Sequence, residues 1–312
     1  MSQHVLQLCP FSSFLNQELL NRFHVHAWYD MQPSEREAFL NQNAGAIRAV
    51  VTGGHVGIPN ELMARLPSLG LVAVNGVGLD KVDLAESRRR GIRVTTTPGV
   101  LTDDVADLAV GLIISLLRGI HRADRFLRAG EWVRGEYPLS RTVTGRRFGI
   151  VGLGHIGQAI ANRLMVFGPV AYCNTRPKQV PYPYVASPIE LARQSDVLIL
   201  SASANPSTQH IVNRELLDAL GPQGYLVNIA RGALVDEPEL MKALLENRIA
   251  GAALDVFAHE PRVSEALRDA PNTVLTPHIA SATTETREAM GRAVLCNLEA
   301  FFSGKSLPGA AA

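Results

Sequence analysis

The segment that decides the fold spans residues 147–167 and reads RFGIVGLGHIGQAIANRLMVF. Its apolar start, residues 148–151, has the length and composition of a buried strand, and helical spacing begins at Gln158. Between strand and helix, a first glycine permits a tight turn, a second lets the backbone approach a diphosphate, and a third lets the helix pack on the strand. The segment therefore predicts a dinucleotide-binding loop. Its residues are Gly152, Leu153, Gly154, His155, Ile156 and Gly157.

Short apolar runs alternate with helical spacing on both sides of this segment. Before it, such runs begin near residues 5, 25, 49, 71 and 93, and after it near residues 170, 197, 225, 252 and 273. This alternation is typical of parallel strands joined by crossover helices. One long helix, predicted from Asp103 to Ala129, separates the two series. The sequence therefore predicts an α/β protein with two Rossmann-like, doubly wound parallel-sheet domains and a cleft between them.

The end of the chain determines how these domains are built. A chain of 312 residues is long enough for two domains. The helical spacing of residues 284–302 comes after the second sheet is complete, and we expect this helix to pack on the first domain. The first domain is then a discontinuous, substrate-binding (catalytic) domain, residues 1–97 plus 284–312. Residues 98–283 form the dinucleotide-binding domain.

Composition narrows the classes of partner. The chain has 30 basic and 29 acidic residues with no long block of either sign, so neither nucleic acid nor a membrane surface is an expected partner. The longest apolar run, residues 108–117, is about half the length of a membrane-spanning helix. Cys9, Cys173 and Cys296 are odd in number and widely spaced, so we expect neither disulfides nor a metal site. A cytoplasmic protein is the expectation.

The choice of cofactor depends on the residues that follow the second strand of the nucleotide-binding unit. An acidic residue there would accept from a ribose hydroxyl group and repel a 2′-phosphate, but no Asp or Glu occurs between Gly152 and Ile189. The place is occupied by Asn174, Thr175 and Arg176, and an arginine can donate several hydrogen bonds to a phosphate. The sequence therefore predicts NADP, with NAD as the weaker alternative if Arg176 is only a solvated loop residue.

Three chemically distinct side chains lie where later strands are predicted to end. Reduction of a 2-keto acid needs a cation for the carboxylate, a proton donor for the developing alkoxide and a group that keeps this donor protonated. Arg231 can act as the clamp, His278 as the general acid, and Glu260 as the partner that stabilises the imidazolium. Each also has a plainer interpretation: Arg231 as an ion-pair partner of Asp236, Glu260 as a surface acid, and His278 as a strand-end cap.

These motifs, with VNGVGLD at residues 74–80 and TPGVLTDDVAD at residues 97–107, resemble the D-isomer-specific 2-hydroxyacid dehydrogenase family. Within it they resemble the branch of hydroxyphenylpyruvate and glyoxylate/hydroxypyruvate reductases. The resemblance covers nearly the whole chain and implies that Arg231, Glu260 and His278 are the catalytic group. It also implies cofactor contacts from Ala230 and from Asp255, which would hold the nicotinamide carboxamide. The backbone amides of Val77 and Gly78, together with Arg231 and His278, would bind the substrate.

The resemblance has further consequences for function. It implies a homodimer, in which Trp132 is an interface anchor or reaches the partner's substrate pocket. The stretch at residues 201–206 departs from the proline-bearing stretch that many members have beside the nicotinamide. The expected activity is NADPH-dependent reduction of small 2-keto acids, namely glyoxylate, hydroxypyruvate and bulkier acids such as hydroxyphenylpyruvate, to D-2-hydroxy acids. The alternative is an NADP-sensing binding protein of the same fold with incidental turnover.

Overall fold

The computed structural model describes residues 3–270 and 272–311. Its internal contacts divide the chain into two compact units, Met1–Leu101 together with Ala282–Ala312 (unit 1) and Thr102–Ser281 (unit 2). The boundaries predicted from the sequence, after residue 97 and before residue 284, lie a few residues from these. Each unit contains one sheet in which every strand pair is parallel, so the predicted fold class is confirmed.

Unit 1 is built on a sheet of five strands in the order β2-β1-β3-β4-β5. This order is that of the flavodoxin-like doubly wound sheet. Its elements up to residue 101 are β1 (His4–Gln7), α1 (Ser13–Arg22), β2 (His24–Ala27), α2 (Pro33–Asn43), β3 (Ile47–Gly53), α3 (Asn60–Ala64), β4 (Leu71–Asn75), α4 (Leu84–Arg89) and β5 (Arg93–Thr95).

Unit 2 is built on a sheet of six strands in the order β11-β10-β9-β8-β6-β7. Its elements are α5 (Thr102–Arg118), α6 (Ile120–Arg128), β6 (Phe148–Val151), α7 (His155–Leu164), β7 (Val170–Cys173), α8 (Pro188–Gln194), β8 (Val197–Leu200), α9 (Arg214–Leu220), β9 (Tyr225–Asn228), α10 (Glu237–Leu245), β10 (Gly251–Leu254), α11 (Glu265–Asp269) and β11 (Thr273–Leu275).

The strand order of unit 2 positions a ligand crevice. From β6 the chain crosses to β7 on one side and then returns to β8 on the other, so the crossover direction reverses between β6 and β8. A parallel bridge between Tyr172 and Tyr184 extends the sheet beyond β7, towards the order of the dinucleotide-binding Rossmann sheet. Ligands of such sheets bind beyond the carboxyl ends of the strands at this switch point, which here is the glycine loop after β6.

The last helix, α12 (Thr284–Phe302), belongs to unit 1. Its apolar residues Val294, Leu298 and Phe301 are buried in one cluster with Leu15 of α1 and Leu71 of β4. The spacing of these residues along α12 places them on one helical face, and burial of that face removes apolar surface from water. The helix therefore covers one side of the unit 1 sheet although it is distant from β4 in sequence.

The prediction of a single long helix from Asp103 to Ala129 is wrong. The chain forms two helices, α5 and α6, separated at Gly119, which has a left-handed conformation with φ 62°. Glycine adopts this conformation without the steric cost of a Cβ atom, so the helix ends there. Among the helices of residues 3–270 and 272–311, none combines the length and apolar character needed to cross a membrane.

Candidate active site

The glycine loop joins β6 to α7 in a conformation that depends on its glycines. Gly152 has φ 96°, and a Cβ atom there would lie 2.5 Å from the backbone nitrogen of Ala202. At Gly157 a Cβ atom would lie 2.2 Å from the carbonyl oxygen of Gly152, so only glycine lets α7 start this close to the strand. These two positions match the tight-turn and close-packing roles predicted from the sequence.

The middle glycine differs from the other two. A Cβ atom at Gly154 would meet no heavy atom within 4 Å, so this side of the loop is open. Next to the loop, at the start of the segment after β8, the Ser201 hydroxyl group is buried and has no hydrogen-bond partner among the described residues. The open backbone at the N-terminus of α7 can accommodate the diphosphate of a dinucleotide, and the unsatisfied hydroxyl group can donate a hydrogen bond to it.

Asn174 supports the loop from the end of β7. Its side-chain oxygen accepts a hydrogen bond of 2.7 Å from the backbone amide of Leu153. Thr175 and Arg176, the next two residues, are exposed, and Arg176 forms no hydrogen bond or ion pair within the described part of the chain. Of the three residues predicted to contact the adenosine end of the cofactor, Asn174 therefore positions the glycine loop, and Arg176 extends a charge into solvent beside it.

Arg231 follows β9, and the side chain of Asn228 fixes the backbone around it. The side chain of Asn228 donates to the carbonyl oxygen of Arg231 at 2.9 Å and accepts from the amide of Ala230 at 3.0 Å. A Cβ atom at Gly232 would lie 1.9 Å from the carbonyl carbon of Phe257, so this turn packs directly on the segment after β10. The close approach at Gly232 brings the Arg231 segment against the segment that carries Glu260.

Glu260 and His278 form a direct pair. Nδ1 of His278 lies 2.7 Å from Oε2 of Glu260, while Oε1 of Glu260 accepts from the Phe257 amide at 3.0 Å. Both side chains are partly exposed, 39% for His278 and 29% for Glu260. The two residues are separated by one helix and one strand in sequence, and they meet because β10 and β11 are neighbours in the sheet.

The charge state of Glu260 decides what His278 can do. Burial raises the pKa of Glu260, but the hydrogen bonds from His278 and the Phe257 amide and the nearby positive charge of Arg231 outweigh it and hold the pKa below its ordinary value. Glu260 is therefore a carboxylate at neutral pH and can only accept hydrogen bonds. Nδ1 of His278 must then donate, which leaves Nε2 as the atom that can give up or take a proton.

His278 has a strained backbone that Asp255 stabilises. Its φ is 52°, a left-handed conformation that is uncommon for a residue with a side chain. The fully buried Asp255 accepts hydrogen bonds from the amides of Ile279 and Ala280 and from the hydroxyl group of Thr276, and its carbonyl oxygen accepts from the His278 amide. The resemblance predicts a nicotinamide contact for Asp255; in the structure both of its carboxylate oxygens bind the His278 loop.

A cavity of about 280 Å³ lies against the pair. It is lined by both Glu260 and His278, and its remaining walls are mainly apolar side chains, among them Phe257, Val263 and Leu275. Apolar walls reduce the access of water to the carboxylate and strengthen its interaction with the imidazole. The cavity therefore places one side of the pair in mainly apolar surroundings.

The predicted substrate-binding amides belong to unit 1. Val77 and Gly78 follow β4, and their loop packs closely on the loop after β3, where a Cβ atom at Gly54 would lie 3.0 Å from the carbonyl oxygen of Gly78. Within residues 3–270 and 272–311 neither amide donates a hydrogen bond. Two adjacent backbone donors of this kind can bind a carboxylate group.

The residues singled out from the sequence thus fall into two groups, the backbone donors Val77 and Gly78 in unit 1 and a group of side chains in unit 2. Arg231, Glu260 and His278 come together in unit 2, at the carboxyl ends of β9, β10 and β11. Two positioning residues, Asn228 and Thr276, and the buried hydroxyl group of Ser201 were not recognised from the sequence. Asn228 and Thr276 lie within the motifs that contain Arg231 and His278. A polar residue at the end of each buried strand was the sequence feature that could have predicted their roles.

Several known proteins are similar to this chain over nearly its whole length. The model of the D-isomer specific 2-hydroxyacid dehydrogenase NAD binding domain matches residues 110–280. Hydroxyphenylpyruvate reductase of Plectranthus scutellarioides is 49% identical over 305 residues, and glyoxylate/hydroxypyruvate reductase A of Arabidopsis thaliana is 48% identical; each match covers 97% of both chains. A solved NADPH-dependent glyoxylate/hydroxypyruvate reductase of Sinorhizobium meliloti, in complex with NADP and malonate, is similar with a TM-score of 0.91 at 38% identity, covering 100% of this chain and 97% of that one.

Proposed function

Because the chain belongs to the D-isomer specific 2-hydroxyacid dehydrogenase family, we propose that it reduces small 2-keto acids to D-2-hydroxy acids with NADPH. The substrates are glyoxylate, hydroxypyruvate and the bulkier hydroxyphenylpyruvate. The observation that carries the proposal is the hydrogen-bonded pair of His278 and Glu260 beside Arg231, in the unit that also contains the glycine loop. A binding protein with incidental turnover is not favoured, since the similar proteins are named reductases.

In the proposed mechanism each residue has one task. The guanidinium group of Arg231 binds the substrate carboxylate and the keto oxygen, and it remains charged throughout. A nicotinamide dinucleotide held at the glycine loop after β6 would supply the hydride for the keto carbon. Nε2 of His278 donates a proton to the oxygen as negative charge develops there, and Glu260 stabilises the imidazolium before this transfer. In the reverse direction the neutral imidazole takes the proton from the hydroxy acid.

Other groups act at a distance from the proton transfer. Asp255 and Thr276 hold the backbone that presents His278, and Asn228 holds the backbone that presents Arg231. We propose that the amides of Val77 and Gly78 bind the substrate carboxylate as further donors. The cofactor residues proposed are the glycine loop, Asn174 to Arg176, Ala230 and Asp255, the last through the loop that it supports.

A panel of 2-keto acids tests the proposed function. Purified protein with NADPH should oxidise the cofactor when glyoxylate, hydroxypyruvate or hydroxyphenylpyruvate is added, measured as loss of absorbance of the reduced nicotinamide. Pyruvate is a further 2-keto acid for the panel, and a simple ketone is the matched comparison, because it lacks the carboxylate that Arg231 is proposed to bind. No oxidation with any keto acid would contradict the enzyme proposal.

The preference for NADPH is proposed to depend on Arg176. Hydrogen bonds to charged groups contribute about 1.5–3 kcal/mol, so Arg176→Ala should lower kcat/KM for NADPH by roughly 10- to 100-fold. The value for NADH should change little, because that cofactor has no 2′-phosphate. Lys178→Ala removes another exposed positive charge from the same loop, so it separates the contact made by Arg176 from a general effect of charge. Equal losses for both cofactors, or a preference of the parent for NADH, would be evidence against this role.

We also propose that the protein is a cytoplasmic homodimer. Apolar side chains are exposed along one segment of unit 2, including Trp132 (66% exposed), Val133 (92%) and Leu139 (102%). Exposed apolar groups in one segment indicate a protein interface, and a second copy would bury them. Trp132 would then be an interface anchor. Sedimentation velocity at several concentrations measures the oligomeric state.

A further inference from the structure

Three histidines lie together at the edge of the unit 1 sheet. His4 on β1 is the register partner of His24 on β2, and His26 stands two residues further along β2. Residues two apart on a strand share a face, and register partners in adjacent strands do so as well. All three imidazoles therefore project from the same face. This arrangement depends on the pairing of β1 with β2, since 19 residues separate His4 from His24 in the chain.

The ring nitrogens are close enough to share one ion. Nδ1 of His4 lies 3.0 Å from Nε2 of His26, and one nitrogen from each of the three rings lies within 4.8 Å of the others. With zinc–nitrogen distances of about 2.0–2.1 Å in a tetrahedral site, two ligand nitrogens lie roughly 3.3 Å apart. The 3.0 Å separation of the His4 and His26 nitrogens is already close to this spacing.

The surroundings of the cluster favour a bound metal over a solvated patch. The ring of His26 packs against Phe39 of α2, with 4.9 Å between ring centroids, which holds it in place. His24 is exposed, so an ion can enter from solvent. In the described residues none of the three forms an ion pair with a carboxylate, in contrast to His278. Imidazole nitrogen is a ligand that zinc, nickel and copper prefer, whereas magnesium and calcium prefer oxygen.

We propose that His4, His24 and His26 form a zinc-binding site that is separate from the catalytic group. The three imidazoles supply three of the four ligands of a tetrahedral site, and water would supply the fourth. Among the strands of the described residues, β2 pairs only with β1, so the ion would join an edge strand to the rest of the sheet. Cysteine spacing predicts no metal site, whereas the proposed ligands are histidines that only the pairing of β1 with β2 brings together.

Zinc titration of the untagged protein tests this proposal. The parent, freed of metal with a chelator, should bind one equivalent of Zn²⁺ in isothermal titration calorimetry, and Mg²⁺ should give no binding at this site. Zinc should also raise Tm, because β1 and β2 are held together only in the folded chain and the ion therefore stabilises the folded state. Addition of EDTA should reverse this increase.

Single substitutions locate the site. His24→Asn should weaken Zn²⁺ binding at least about tenfold and abolish the zinc-dependent rise in Tm, since loss of even an outer-shell partner costs 10- to 100-fold in affinity. His210→Asn is the matched control, because His210 is also exposed and lies outside the cluster. His4→Asn provides a second test from the other strand. The proposal fails if the parent binds no zinc, or if the His24 and His4 variants bind it as the parent does.

Discussion

The variant His278→Asn should have a kcat that is about 10²- to 10⁴-fold lower than that of the parent with glyoxylate and NADPH. Asparagine cannot take the place of imidazole in donating a proton at neutral pH. It does tolerate the left-handed backbone that position 278 requires, where φ is 52°, so the loop should keep its shape. Steady-state kinetics together with the dissociation constant of NADPH, from fluorescence titration, provide the measurement.

The neighbouring histidine is the control for this experiment. His259 is exposed and directly precedes Glu260, but the side chain that contacts His278 is that of Glu260. His259→Ala should therefore keep a kcat close to that of the parent. A His278 variant that turned over normally but bound NADPH weakly would show that His278 holds the cofactor and does not transfer a proton.

The variant Arg231→Ala should lose about 10²- to 10³-fold in kcat/KM for 2-keto acids. Loss of a single donor to a developing oxyanion has an effect of this size, and Arg231 is proposed to bind both the carboxylate and the keto oxygen. Part of the loss should be seen in KM, because the carboxylate is also bound in the ground state. The measurement is a full kinetic comparison with glyoxylate and hydroxypyruvate.

Arg231→Lys separates charge from geometry. Lysine keeps the positive charge but has no planar fork for two-point binding, so its kcat/KM should lie between those of Arg231→Ala and the parent. The loop should keep its conformation in both variants, because the Asn228 side chain forms hydrogen bonds with the backbone at this position. An unchanged Tm would show that it does. If neither variant differs from the parent in kcat/KM, Arg231 is not the clamp.

Local patterns in the chain were sufficient to predict the two parallel sheets. The apolar runs are short, rich in β-branched residues and separated by helical spacing, and each of these properties depends on neighbours in sequence. The glycine loop is of the same kind, because strand, turn and helix are contiguous. The break at Gly119 was missed because a glycine inside a helical pattern does not by itself show whether its backbone becomes left-handed.

The contacts of the candidate site could be predicted only in part. The sequence indicated Arg231, Glu260 and His278 from their chemical types at three strand ends. That Glu260 binds Nδ1 of His278 directly, and that its carboxylate stays charged, depends on the pairing of β10 with β11 and on the approach of Gly232 to Phe257. Strand order and close approach are decided by packing between distant segments.

By itself, then, the sequence determined the fold class, the glycine loop and the residue types of the proposed catalytic group, since these are properties of contiguous segments and of family resemblance. Tertiary structure alone decided the support that Asp255 gives to the His278 loop, the bond from Leu153 to Asn174, and the grouping of His4 with His24 and His26. The physical reason is common to all three. Each joins residues far apart in the chain, and strand register sets their distances.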